Sequence, residues 1–131
     1  MKIDNIKIYA PAIVRIALAC VFLWFGFSQL RAPSEWIGFL PEFILDMPFS
    51  PAYFILTNAL IEVIFGFFLL AGILTRFSAL ILGLHLIGIA FSLGYGALAV
   101  RDLGLAIATL SVFINGNDIL CYSRKEKTSY Y

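Results

Sequence analysis

Three side chains able to hold charge or move a proton, Arg15, Glu62 and His85, stand in stretches of sequence that are otherwise almost uncharged. A guanidinium, a carboxylate and an imidazole are the parts from which a proton-exchanging or ion-pairing centre is made. In apolar surroundings such groups pair with one another, because an uncompensated charge there is costly. Asn58 stands four residues before Glu62 and adds an amide to the same helical face. A second set, Gln29, Arg31, Arg101 and Asp102, lies at the borders of the apolar stretches, where its members would share one mouth.

Residue counts narrow the chemistry. A single histidine excludes two-His haem ligation and a three-His metal site within one chain, so no metal is expected. Cys20 and Cys121 are widely separated and form no C-x-x-C motif, so neither a disulfide nor a dithiol redox centre is expected. No Gly-rich phosphate loop occurs, and "GYG" at 94–96 reads as a helix end or turn. The net charge of +1, with no basic patch beyond a short tail, points away from nucleic acid. Electron transfer would therefore need a partner protein or a diffusible quinone.

The elements that hold these residues follow from composition. The 131 residues are 62% hydrophobic and 13% charged, with mean hydropathy +0.96, well outside the range of soluble domains. Charged residues divide the chain into four windows, and a bilayer core needs roughly 20 apolar helical residues. The windows predict one domain of four transmembrane helices at approximately 10–30, 52–75, 77–97 and 101–120. The fold class expected is thus an all-α integral membrane four-helix bundle. The first window has a basic start but no small-x-small cleavage site after it, so it reads as a retained helix.

Orientation follows from Lys and Arg in the flanks. Lys2, Lys7, Arg76, Arg124, Lys125 and Lys127 fall on one side, and only Arg31 and Arg101 on the other. Both termini are expected to face the cytoplasm, in a multi-pass protein of the cell membrane. The 31–51 connection then lies outside, and its prolines at 33, 41, 48 and 51 forbid a continuous helix. Trp36, Phe39 and Phe43 in that connection suit a short segment lying in the headgroup layer.

Each window carries a line of small or polar residues at helical spacing. The first has Arg15, Ala19, Phe22, Gly26 and Gln29; the second has Asn58, Glu62 and Gly66. The third has Ser78, His85, Gly88 and Ser92, and the fourth Arg101, Gly104, Ala108, Ser111, Asn115 and Asp118. Small residues allow close helix approach and polar ones avoid lipid, so these lines are expected to face one another. Counting ~1.5 Å per residue from the basic ends puts Arg15 roughly 8 Å deep, His85 roughly 12 Å and Glu62 roughly 18 Å. An extended Arg spans that gap, and the spacing predicts an intramembrane cluster of Arg15, Glu62 and His85. Such a cluster serves either as a functional centre or as a structural lock on helix register. Arg101–Asp102 reads as the outer start of the fourth helix, and Asn115, Asn117 and Asp118 as its end.

"RIALACVFLWFGFSQL" (15–30), "IEVIFGFFLLAGILTRFSALILGLHLI" (61–87) and "RDLGLAIATLSVFINGN" (101–117) together resemble the DoxX family of small four-helix membrane proteins. The shared elements are an Arg opening the first helix, Glu-x-x-x-Gly in the second, Gly-x-Leu-x-Arg before the third, and an Asp opening the fourth. Many relatives have Lys where this chain has Gln29, which leaves Arg31 to supply that cation. The family includes subunits of thiosulfate:quinone oxidoreductase and of quinol-oxidising assemblies. The resemblance therefore implies a quinone-associated accessory subunit of a membrane redox complex, working with a soluble or membrane oxidoreductase partner. Two other readings stay open: a non-enzymatic assembly or scaffold protein, self-associating as a homo-oligomer, and a small transporter.

Overall fold

The computed structural model describes residues 3–123. Four of the six cations on the basic side in the orientation count, Lys2, Arg124, Lys125 and Lys127, lie outside those residues. A short helix α1 (Ile3–Lys7) leads into α2 (Ala10–Arg31). A 3-10 helix (Pro33–Phe39) and the four-residue α3 (Glu42–Leu45) follow, and then α4 (Pro51–Ala71), α5 (Thr75–Leu93) and α6 (Ala97–Asn115). The four long helices are each of a length and apolarity that crosses a membrane. The protein is an all-α membrane bundle, with no strand among the described residues.

Proline and glycine set the helix ends. Proline occupies the first turn of α2 and of α4, where its missing N–H costs nothing. Helix α4 stops at Gly72, whose φ of +74° is open to glycine and whose N–H bonds back to the carbonyls of Phe68 and Leu69. Helices α5 and α6 likewise end at Gly94 and Gly116. The expected boundaries followed charge rather than glycine and are displaced accordingly. Helix α4 ends four residues earlier than expected, and α6 runs Ala97–Asn115 instead of 101–120. Arg101 and Asp102 are therefore inside α6, not at its start.

Two intimate pairs build the bundle: α2 against α4, and α5 against α6. At the α2–α4 contact the glycines interlock. A Cβ on Gly26 would stand 2.6 Å from Val63 Cγ2, and one on Gly66 would stand 3.2 Å from Leu23. Water drives no association between helices in lipid, so this backbone proximity and its dispersion contacts hold the pair together. Leu18, Phe22, Leu69, Leu82 and Leu86 join the pairs through a shared core. Trp24, Phe67, Phe91, Ile107 and Ile114 face outward, where acyl chains can cover them.

The expected line along the first window is buried throughout: Arg15, Ala19, Phe22, Gly26 and Gln29 all face inward. That of the fourth window is not. Gly104, Ser111 and Asn115 are exposed, and the inward face is Ala99, Asp102, Ala106, Thr109 and Val112. Thr109 can be buried because its hydroxyl donates to the Leu105 carbonyl at 2.7 Å. Chemically small and polar residues thus stand on both faces of α6, and only packing distinguishes them.

Candidate functional site

The structure separates the polar residues into two centres at different depths. The first gathers at the α1 end of the bundle around Arg15, which is 1% exposed. Its Nε and Nη2 donate to the two carboxylate oxygens of Asp118, at 2.6 and 3.2 Å. Its Nη1 donates to the carbonyls of Leu69 and Leu70, at 2.6 and 2.8 Å. Those carbonyls lack their i+4 donors because α4 stops at Gly72, whose N–H reaches Leu69 only at 3.3 Å, so Arg15 acts as a C-cap supplied by another helix. Burial pushes the Asp118 carboxyl up, but the bond from Arg15, the Leu120 N–H and the Arg15 charge outweigh it and hold it below the ordinary range. Cys121 completes this end, with its sulfur 3.5 Å from Thr75 Oγ1 and its backbone against Gly72.

The expected Arg15–Glu62–His85 cluster is therefore divided. Leu69 lies seven residues beyond Glu62, about 10 Å further along α4 by the helical rise. Arg15 is level with the end of that helix, not with its middle. Asp118, read from sequence as a mere helix end, is the partner. The available signal was its place two residues after the helix-stopping Gly116, at the same end of the bundle as Arg15.

The second centre surrounds Glu62, which is 3% exposed on α4. Gln29 Nε2 donates to Glu62 Oε2 at 3.0 Å, and Asn58 Nδ2 to Glu62 Oε1 at 3.3 Å and to Gln29 Oε1 at 2.7 Å. Both carboxyl oxygens of Glu62 accept from these amides, whose NH2 groups therefore point inward. His85 Nε2 approaches Glu62 Oε1 to 3.7 Å, too far for a hydrogen bond. That nitrogen is buried and has no hydrogen-bond partner, a condition shared only by Ser78 Oγ among the described side chains.

Glu62, Gln29, Asn58 and His85 line a cavity of about 580 Å³ between the α2–α4 and α5–α6 pairs. Its volume falls within the usual range of small-molecule sites. The remaining wall is largely apolar, and Trp36, Phe39 and Ile44 from the proline-rich connection close over it. Trp36 meets Phe25 edge-on with ring centroids 5.7 Å apart. Arg101 stands over the same Phe25 ring at 5.5 Å; its Nε donates to Asp102 Oδ1 at 3.0 Å, and its Nη2 lies 2.9 Å from that oxygen as an ion pair. Of the mouth residues expected, Arg101 and Asp102 line the cavity and Gln29 reaches deeper, to Glu62. Arg31 is exposed and outside the lining, so the cation of this cavity is Arg101. Sequence reasoning missed the aromatic cover as part of the site; the spacing of Trp36 and Phe39 was the signal for it.

No group of three or more metal-ligating side chains occurs among the described residues. What the cavity offers is an apolar sleeve with one carboxylate, two amides and an unpartnered imidazole nitrogen, enough to orient a small polar head on an apolar body and exchange a proton with it.

Four spans around a polar-floored intramembrane cavity define a small multi-pass membrane protein in contact with the lipid bilayer. A family model, DoxX, matches residues 10–94, well over half of the 131-residue chain, and the protein belongs to the DoxX family. The matched segment covers α2 to α5, so Arg101, Asp102 and Asp118 lie beyond it. No curated protein and no solved structure matches the chain.

Proposed function

We propose that the protein is a quinone- or lipid-associated accessory subunit of a membrane redox complex, seated in the cell membrane with both termini cytoplasmic. The observation that carries this reading is the 580 Å³ cavity with Glu62, Gln29, Asn58 and His85 in an otherwise apolar wall. A quinone needs hydrogen-bonding groups for its ring oxygens and an apolar sleeve for ring and tail, and these residues provide both. Glu62 and His85 would exchange protons with the ring oxygens; Gln29 and Asn58 hold the carboxylate in place. The quinone supplies the two-electron chemistry, and the oxidising or reducing partner is another subunit.

Purification in mild detergent, followed by mass spectrometry of co-purifying proteins and extracted small molecules, tests the reading. The expected result is a near-stoichiometric isoprenoid quinone or lipid together with an oxidoreductase subunit. A ligand-free chain with no quinone-dependent rise in melting temperature would refute it.

A further inference from the structure

The hydrogen-bonding valences around Glu62 are unevenly used, and this bears on which form of a ligand the cavity accepts. The inward amide N–H groups are already engaged: Gln29 Nε2 on Glu62, and Asn58 Nδ2 on both Gln29 and Glu62. Each oxygen of the Glu62 carboxylate accepts from one amide and keeps a further lone pair. Gln29 Nε2 keeps a second N–H on the Oε2 side, whereas on the Oε1 side, toward His85, the free valences are acceptors, on Glu62 and on Asn58 Oδ1. His85 Nε2, unpartnered and 3.7 Å from Glu62 Oε1, stands beside them.

A hydroxyl placed between Glu62 and His85 can donate to the carboxylate and still accept from an imidazole N–H. A carbonyl oxygen in the same position can donate nothing and sets its partial negative charge against the carboxylate. The other charged groups of the lining do not reverse this preference. Arg101 donates Nε to Asp102 and keeps free N–H groups, but its side chain is half exposed at the mouth and not at the Glu62 floor, and Asp102 is itself an acceptor.

We infer that the cavity discriminates between redox states, binding a hydroquinone through a ring hydroxyl donated to Glu62 in preference to the corresponding quinone. This rests on the reading of the cavity as a quinone site and goes beyond it by naming the favoured form. The preference amounts to one charge-assisted hydrogen bond gained, on the order of tenfold or more in affinity.

The test is equilibrium binding to the purified full chain in lipid nanodiscs, read through the fluorescence of Trp36 at the cavity. The probes are decyl-ubiquinol, kept reduced under anaerobic conditions, and decyl-ubiquinone. A second pair, 4-nonylphenol and its methyl ether, asks the donor question without redox chemistry. The expected result is that quinol binds roughly tenfold tighter than quinone and the phenol tighter than its ether, with both differences lost in Glu62→Gln. Equal affinities, or a tighter quinone, would overturn the discrimination while leaving the quinone site standing. Absence of binding by all four probes would overturn the site itself and the discrimination with it. The two wild-type comparisons decide the matter even if Glu62→Gln fails to fold.

Discussion

Removing the charge of Arg15 should unfold the bundle from the end opposite the cavity, and a double-mutant cycle can show through which partner. Arg15 is 1% exposed and makes four hydrogen bonds, two to Asp118 and one each to the Leu69 and Leu70 carbonyls. Breaking a buried ion pair from one side costs about 3–5 kcal/mol, because the remaining charge is stranded. Arg15→Leu and Asp118→Leu should each cost about that much. The double variant strands no charge, so it should fall short of the sum by about 2–3 kcal/mol, the coupling expected of a shared pair. Arg15→Leu with Glu62→Gln should instead add within about 0.5 kcal/mol, since about 10 Å of helix separates Glu62 from Leu69. The assay is equilibrium unfolding in mixed micelles at increasing SDS mole fraction, followed by circular dichroism. Additivity in the Asp118 cycle, or a larger coupling to Glu62, would refute the partnership.

The same pair predicts the acid response. Asp118 is held below its ordinary range in the fold, so its contribution is complete above the unfolded carboxyl value of about 3.9 and is lost as pH falls through the folded one. Stability should therefore decline only below about pH 4, and Asp118→Asn should remove that dependence; an unchanged acid profile would exclude Asp118 as its source. Gly26→Val should cost about 1–3 kcal/mol in the same unfolding assay, because its Cβ would press on Val63 and lie 3.2 Å from the Ala59 carbonyl. Wild-type stability of that variant would show that α2 and α4 are further apart than described. Gly88→Phe should leave stability within about 0.5 kcal/mol, since a Cβ there meets nothing within 4 Å, yet it should abolish any quinone-dependent melting shift by filling the cavity. A shift retained in Gly88→Phe would place the ligand elsewhere.

The four spans were legible because apolar windows of bilayer length have few alternatives. The inward face of α2 was legible too, since Arg15, Gly26 and Gln29 fall on one helical line with nothing charged or amide-bearing elsewhere on the helix except its terminal Arg31. The partners were not. Which acid Arg15 meets depends on axial level, and that level is set by Gly72 ending α4 four residues before the expected boundary at 75. The face of α6 was misread for a related reason. Glycine and serine are compatible with lipid as well as with a helix contact, whereas Asp102 and Thr109 become compatible with burial only once Arg101 and the Leu105 carbonyl are in place. Periodicity identifies candidates for an interior, and pairwise geometry selects among them.

The Arg15 fork ties three pieces of chain together: α2 by its own backbone, α4 by two terminal carbonyls, and the segment after α6 by Asp118. These belong to both helix pairs, and the tie lies at the far end from the cavity. The bundle is thus built like a clothes-peg, clamped at the spring by a buried ion pair and joined at the jaws by the half-exposed Arg101 over Phe25. A bulky guest between the jaws is accommodated by a small rotation about that clamp rather than by a parallel separation of helices, so the widening is greatest where Trp36 and Arg101 stand and vanishes at Asp118.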